Sequence, residues 1–387
     1  MLGLVIGVLA LIKVIAFLLL YRYHEAEEDK RWLPHVPNQL LVKFRDEVDG
    51  RRRKEIVGQA RCEVLRSHDV LGTQLIGSKR NMRRMLKHYQ RLYEIEYAEP
   101  NYLFQSSYKP NDPYFEPYQY GLQQVSAPAA WDVTQSAPTV KVAVVDTGVQ
   151  LKHRDLAGKL ASGHDFVGGD ETPDDSNGHG THVAGIAAAA TNNALGVSGM
   201  APLATIVPVR VLDGSGSGTL EQVAQGVIYA AQQGAQVINL SLGAPASSAT
   251  LHKAVRYAWS HGAVLVAAAG NESSSAPSYP ANYDEVIAVA STNAQDVKST
   301  FSNFGPWVDV AAPGEAIFST YLGSSYAYLS GTSMAAPLVS GLAALLAAQG
   351  RTNAHIRSAI LGSADPIMGT GIYWRYGRVN AERAVKS

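Results

Sequence analysis

Asp146, His179, Asn271 and Ser333 carry side chains that could together perform acyl transfer. A serine hydroxyl attacks a carbonyl only when a base takes its proton, and His179 offers a neutral imidazole for that step. The base needs a carboxylate to hold its tautomer and stabilise its charged form, a role open to Asp146. A tetrahedral oxyanion needs donors aimed at it, which the Asn271 amide and the backbone N–H of Ser333, at a helix start, could supply.

Taken singly, each residue also has a structural reading. Asp146 closes the apolar run "VAVVDTG" and could cap a turn; Asn271 follows "VAAAG" and could sit in a left-handed turn. Ser333 opens "GTSMAAPLVSGLAALLAAQ", where Ser, Thr and Gly suit a helix start and Pro337 falls within the first turns. His179, in "SNGHGTHVAGIAAAA", forms a His-x-x-His pair with His182, but without a glutamate between them this is a poor metal signature. What the single readings leave unexplained is that all four stand at strand ends or helix starts of one region.

Apolar runs at 140–145, 205–211, 236–241, 263–269 and 286–290 are predicted strands, and the segments 219–234 and 250–262 are predicted helices closing on glycine. Unalternating strands separated by helices predict an α/β fold, a doubly wound, mostly parallel sheet with helices on both faces. Sites in such sheets form at the C-terminal ends of strands beside helix N-termini, which is where the four residues lie. Glycines 178, 180, 270 and 331 would let the chain turn tightly there.

The composition is that of an ordinary globular chain, with 46% hydrophobic and 17% charged residues. A formal net charge of zero gives no reason for a nucleic-acid partner. Through Ser107 there are 18 Lys+Arg against 13 Asp+Glu, and from Tyr108 there are 15 against 20, so the two parts carry opposite charge and could attract each other. The single cysteine, Cys62, excludes a disulfide framework.

Four segments follow. Residues 1–20 are apolar apart from Lys13 and two glycines, and fit either a signal sequence or a membrane anchor. No basic residue precedes the run and no small-x-small cleavage site follows it, so both readings stay open; export or external anchoring is expected, with any membrane contact made through residues 1–20. Residues 21–37 read as a linker. Residues 38–107 form a small α+β pattern, with "NQLLVKF" as a strand, "NMRRMLKHYQRL" as a helix and "IEYAEPNYLFQ" as an extended return. The Ser/Pro-rich joint "SSYKPNDP" leads into residues 108–387, the expected catalytic domain.

The motifs "VAVVDTGV", "NGHGTHVAG", "VINLSLG", "AAAGN" and "LSGTSMAAP" resemble the subtilisin-like serine proteases, whose chain order Asp, His, Ser this sequence shares. From about Asn111 onward, "NDPYFEPYQYGLQQVSAPAAWD", "VRVLDGSGSGT" and "GTGIYWRYGRVNAERAV" are similar to thermitase-like members, with Val183 standing where those often carry a cysteine. Residues 38–105, ending in "EYAEPNY", resemble the family's inhibitory propeptide. The resemblance implies a serine endopeptidase acting on polypeptides through an acyl-enzyme. It would be made as a precursor whose propeptide is its own chaperone and inhibitor, cut near Ser107–Tyr108. It would be secreted or held outside the cytoplasm, and monomeric when mature.

The same resemblance implies no organic cofactor but structural calcium. One site would take the side chains of Asp112, Asp155 and Asn193 and the carbonyls of Ala190, Leu195 and Val197. A second would take Asp165, Asp170, Thr172 and Asp174, with Gly168 where a further carboxylate is usual. The segments "LDGSGSG" and "LSLGAP" would sandwich a substrate strand, through Leu212, Gly214, Ser241, Leu242 and Gly243. The pocket for the residue before the scissile bond would lie between 240–245 and 268–280, with Ser278 near its base. No charged residue is evident there, which predicts a broad preference leaning to uncharged, medium or large apolar side chains.

Two other readings fail on the residues. An α/β-hydrolase esterase would need Gly-x-Ser-x-Gly and the order Ser, acid, His, whereas residues 331–335 lack the second glycine. A binding module on the same fold would be expected to have lost a member of the constellation, and all four are present.

Overall fold

The computed structural model describes residues 35–79, 82–103 and 108–387. The apolar segment 1–20, most of the linker, and residues 104–107 beside the expected cleavage point lie outside the described residues. The chain divides into two compact units, residues 1–106 and 107–387.

In the first unit, β1 (His35–Phe44), β2 (Glu63–His68), β3 (Thr73–Gly77) and β4 (Ile95–Tyr102) form an antiparallel sheet in the order β2-β3-β1-β4. Leu40, Val42 and Phe44 alternate onto one face and pack with Ile56 and Val57 of the helix Gly50–Gln59 and with Met82, Met85, Leu86 and Tyr89 of the helix Met82–Tyr89. Asp49 caps the first helix by accepting from Arg52 N. β1 begins at His35, inside the segment read as linker. Asn38 at φ +59° shifts the register there, so pairing resumes beyond Pro37 with His35 opposite Tyr102.

The second unit is built on β5 (Lys141–Asp146), β6 (His164–Asp165), β7 (Thr205–Arg210), β8 (Val237–Leu240), β9 (Val264–Ala268), β10 (Val286–Thr292), β11 (Val310–Pro313) and β14 (Gly377–Arg378). They form one sheet in the order β14-β11-β10-β9-β8-β5-β7-β6, with every neighbouring pair parallel. An antiparallel hairpin, β12 (Ile317–Tyr321) and β13 (Ser325–Leu329), stands apart from it.

Side-chain alternation explains the two covered faces. Val142 and Val144 of β5 pack on the helices His179–Ala188 and Thr332–Ala347, whereas Ala143 and Val145 pack on the helices Leu220–Gln232 and Ala249–Ser260. The order of strands reverses at β5: the chain winds to β7 and β6 on one side and to β8 and beyond on the other. Asp146 closes β5 at that reversal, where open parallel sheets leave a crevice.

Candidate active site

His179 is the first residue of its helix and meets Asp146 across the crevice, with Nδ1 2.7 Å from Asp146 Oδ1. The same carboxylate oxygen accepts from Thr147 N at 2.7 Å, and Asp146 is fully buried. The approach depends on Gly180, because a β-carbon there would collide with the Gly148 carbonyl and crowd Asp146. Burial alone would lower the His179 imidazole. The charge and hydrogen bond of Asp146 outweigh it, with Asp175 adding to the effect, and hold its pKa above the ordinary histidine value of 6.5.

Asp175, which no motif singles out, organises this helix start. Its Oδ1 accepts from Thr147 Oγ1 (2.9 Å), Asn177 N (2.8 Å) and Gly178 N (2.9 Å), and its Oδ2 from Thr181 N (2.9 Å) and Oγ1 (2.7 Å). Of these, the Gly178 and Thr181 N–H groups are ones a helix beginning leaves unsatisfied. His182 is buried, with Nε2 3.1 Å from the Ile317 carbonyl and 3.0 Å from that of Ala327; burial pushes its pKa down to about 4. It is a packed core histidine.

Ser333 is the second residue of its helix, and its hydroxyl donates to the Ser241 carbonyl at 3.2 Å. No hydrogen bond joins it to His179 among the described residues. Pro337 lies deeper than a first turn, as the sixth residue of the helix. It has no N–H for the Ser333 carbonyl four residues back, and Ser241 Oγ donates to that carbonyl at 2.9 Å instead. Asn271 Oδ1 accepts from Thr332 N at 2.9 Å and from Thr332 Oγ1 at 3.1 Å, which leaves its NH₂ as the outward donor. Gly270 N in turn donates to Thr332 Oγ1 at 3.0 Å, so Thr332 ties the Asn271 loop to the start of the Ser333 helix.

Two adjoining hollows share Leu242, Gly243 and Ala244. The larger, about 520 Å³, is lined by His179, Leu212, Leu220, Ser241 and Tyr279 among others. The smaller, about 310 Å³, is lined by Asn271, Glu272, Ser278, Asn303, Thr332 and Ser333 among others. Gly214 lines neither: its carbonyl accepts from Asn177 Nδ2 at 3.1 Å, and Gly216, Ser217 and Gly218 form that wall. The expectation of an uncharged pocket is corrected by Glu272, whose carboxylate accepts from Asn303 Nδ2 at 2.7 Å. In the sequence "GNESSS" that glutamate looks like any solvated loop residue.

The residues expected to bind calcium fall into two different settings. Asp112 and Asp155 are both buried, and no basic side chain pairs with either among the described residues. Asn193 joins them, its N–H donating to Asp112 Oδ1 (3.2 Å) and its Nδ2 to Asp155 Oδ1 (2.8 Å). Val197 N donates to Asp155 Oδ2 at 2.8 Å, Ala190 N donates to the Asp155 carbonyl at 2.9 Å, and Leu195 N donates to Asn193 Oδ1 at 2.9 Å. Burial pushes the Asp155 carboxyl up to about 6 against its hydrogen bonds from Val197 and Asn193, and the Asp112 charge adds to the rise. Two buried acids short of positive charge, beside a loop rich in carbonyls, fit a hard cation. At the second cluster Arg210 Nη1 already lies 2.7 Å from Asp165 Oδ2, Asp170 Oδ1 accepts from Thr172 N at 2.7 Å, and Asp174 Oδ1 accepts from Leu151 N at 3.0 Å. With Arg210 neutralising Asp165 and Asp174 turned to Leu151, these residues fit a cation poorly. No group of three or more His, Cys, Asp or Glu side chains suited to a metal occurs among the described residues.

Residues 137–381 match the Subtilase family, and residues 23–101 match the Fervidolysin N-terminal prodomain. The thermophilic serine proteinase of Bacillus sp. (strain AK1) is 49% identical over 352 residues, 91% of this chain and 88% of that one. Thermitase of Thermoactinomyces vulgaris is 59% identical over 279 residues, 72% of this chain and 100% of its own. A solved protease structure from Pseudoalteromonas arctica superposes with a TM-score of 0.67 at 34% identity, covering 72% of this chain and 99% of that one.

Proposed function

This chain belongs to the subtilase family as a serine peptidase with an N-terminal prodomain, and we propose that it is a secreted or externally anchored endopeptidase working through Asp146, His179 and Ser333. The observation that carries the reading is the 2.7 Å bond from His179 Nδ1 to buried Asp146, which leaves Nε2 as the basic nitrogen. Ser333 Oγ attacks the scissile carbonyl carbon while His179 Nε2 takes its proton. The oxyanion is met by the Asn271 NH₂ and the Ser333 N–H. As the C–N bond breaks, His179 returns the proton to the leaving amine, and the acyl group stays on Ser333. Water, deprotonated by His179, then attacks the ester carbonyl, and the C–Oγ bond breaks as His179 returns the proton to Ser333 Oγ, freeing the acid.

Leu212, Ser241, Leu242 and Gly243 would contact the substrate strand, with Ser278 and Glu272 in the smaller hollow. A carboxylate on that wall supports acceptance of basic as well as apolar side chains. Asp112, Asp155 and Asn193, with the carbonyls of Ala190, Leu195 and Val197, would hold a calcium ion supplying the positive charge the two buried acids lack. The prodomain would inhibit its own catalytic domain until cleavage near Ser107–Tyr108. Expression of the Ser333→Ala chain tests the whole reading: it should neither hydrolyse casein nor shorten itself at that junction. Casein hydrolysis by the purified variant at the wild-type rate would overturn it.

A further inference from the structure

Asn303 belongs to none of the catalytic motifs, yet it is only 3% exposed and sits beneath the Asn271 loop. Its side-chain amide makes four hydrogen bonds. Nδ2 donates to the Ala269 carbonyl at 3.0 Å and to Glu272 Oε2 at 2.7 Å, while Oδ1 accepts from Glu272 N at 3.0 Å and Ser274 N at 2.9 Å. A primary amide has two donor hydrogens and two acceptor lone pairs, so its capacity is filled. The Asn303 backbone N–H adds a fifth bond, to the Gly270 carbonyl at 2.9 Å.

The bonds thus grip Ala269, Gly270, Glu272 and Ser274, the residues on both sides of Asn271, without using Asn271 itself. Gly270 makes this grip possible. It holds φ at +106°, and a β-carbon there would collide with Asn303 Nδ2 and stand 2.6 Å from Glu272 Oε2. Residues 271–273 are exposed and lie outside any strand or helix. Apart from Asn303, they are held by Thr332, which donates to Asn271 Oδ1, and by the Phe301 carbonyl, which accepts from Ser273 N at 2.7 Å.

We propose that Asn303 is a positioning residue that fixes two functions with one amide: it aims the Asn271 donor at the oxyanion and holds the Glu272 carboxylate on the pocket wall. This rests on the serine-peptidase reading above. An oxyanion donor acts through preorganisation, so a loop that must be ordered during reaction loses rate rather than ground-state binding. A Glu272 side chain released from Asn303 Nδ2 would turn to solvent, and the pocket would lose its negative wall.

The test uses the full chain with Asn303→Ala and Asn303→Ser, beside Asn271→Ala, Glu272→Gln and the double variant Asn303→Ala/Asn271→Ala. Matched peptide p-nitroanilides ending in Phe or Lys are the substrates, and a fluorophosphonate label counts active sites. Asn303→Ala should lower kcat per labelled site on the Phe substrate about tenfold, less than outright removal of a donor, with KM within about twofold. Its Lys-to-Phe ratio of kcat/KM should fall to that of Glu272→Gln. In the Asn271→Ala background the same change should cost little more, because the donor it aims is gone. If Asn303→Ala yields no labelled sites, Asn303→Ser, which keeps one acceptor, carries the same readouts. Wild-type kcat per site and a wild-type Lys-to-Phe ratio, with only the melting temperature lowered, would make Asn303 a structural residue and overturn the proposal. A fully active Asn271→Ala would instead strike the oxyanion assignment on which it rests.

Discussion

Ser241 and Ser333 hold each other reciprocally: Ser241 Oγ donates to the Ser333 carbonyl at 2.9 Å, and Ser333 Oγ donates to the Ser241 carbonyl at 3.2 Å. The first bond continues inward, since Asn239 Nδ2 donates to Ser241 Oγ at 2.9 Å and Ser340 Oγ donates to Asn239 Oδ1 at 2.8 Å. A buried polar chain therefore ends on the carbonyl that Pro337 leaves open. On the proposed mechanism, the second bond must break before the Ser333 hydroxyl can turn to His179.

Ser241→Ala should cost about 1–3 kcal/mol of stability, because the Ser333 carbonyl and the Asn239 amide each lose a buried partner. The backbone acceptor of Ser333 Oγ remains, so kcat should fall less than in Asn271→Ala, where loss of a donor costs about 10²–10³-fold in subtilisin. Denaturant unfolding and single-turnover kinetics measure the two effects. Unchanged stability would mean that the Ser241 bridge contributes nothing.

The pH profile follows from the Asp146–His179 pair. The proposed mechanism needs neutral His179, so kcat/KM should rise with pH through a midpoint above 6.5, because Asp146 holds the imidazole up. Asp146→Asn should move that midpoint down as well as slowing the reaction. The stability contribution has the opposite sense: the ion pair is fully present below the ordinary histidine value and is lost as pH rises through the raised one. Titration of the His179 ring protons by NMR checks the first statement, and a midpoint at or below 6.5 would contradict it.

Lys159 offers a separate pH effect remote from catalysis. It is 8% exposed, its Nζ donates to the Pro202 carbonyl at 2.5 Å, and burial pushes its pKa down to about 8 from 10.5. No carboxylate pairs with it among the described residues. A depressed lysine costs stability fully below about pH 8, and that cost fades between there and 10.5. Lys159→Met should therefore raise the melting temperature at pH 7, by about 2–4 °C for each kcal/mol recovered. The gain should shrink toward pH 10; a constant gain across that range would point to packing instead.

Chelation should shorten the thermal half-life of the mature enzyme, and Asp112→Ala should imitate it. A cation bound only to the folded state at a hundredfold excess over its Kd adds about 2.7 kcal/mol. Inactivation at fixed temperature, with calcium or with a chelator, is the measurement. A half-life indifferent to calcium in both proteins would remove the calcium assignment and leave the catalytic one untouched.

Much of this was legible in the sequence, for reasons that differ by residue. The runs around Val142–Val145 and Val264–Ala268 have apolar side chains on both faces, as buried parallel strands require, and so announced themselves. Asp146, His179, Asn271 and Ser333 drew attention because each lies within two residues of a glycine at an element's edge. Glu272 and Asn303 were not, because their bond spans residues that meet only once β9 and β10 lie side by side. Arg210 likewise gave no hint that it would neutralise Asp165, since that pair is made by β6 settling beside β7. The Asp146–His179 pairing was expected from the motifs; the partners Glu272–Asn303 and Asp165–Arg210, which only sheet assembly supplies, were not.

The all-parallel order of the large sheet also bears on synthesis. Parallel neighbours cannot be joined by a tight turn, so each pairing waits for a long crossover to be made and packed. A chain leaving the ribosome presents Asp146 first, then His179, and gains Ser333 only after the β12–β13 hairpin that precedes its helix. Products truncated before residue 333 would therefore contain the proposed base and its carboxylate but not the proposed nucleophile. On the proposed mechanism, a chain halted before Ser333 cannot cut its surroundings.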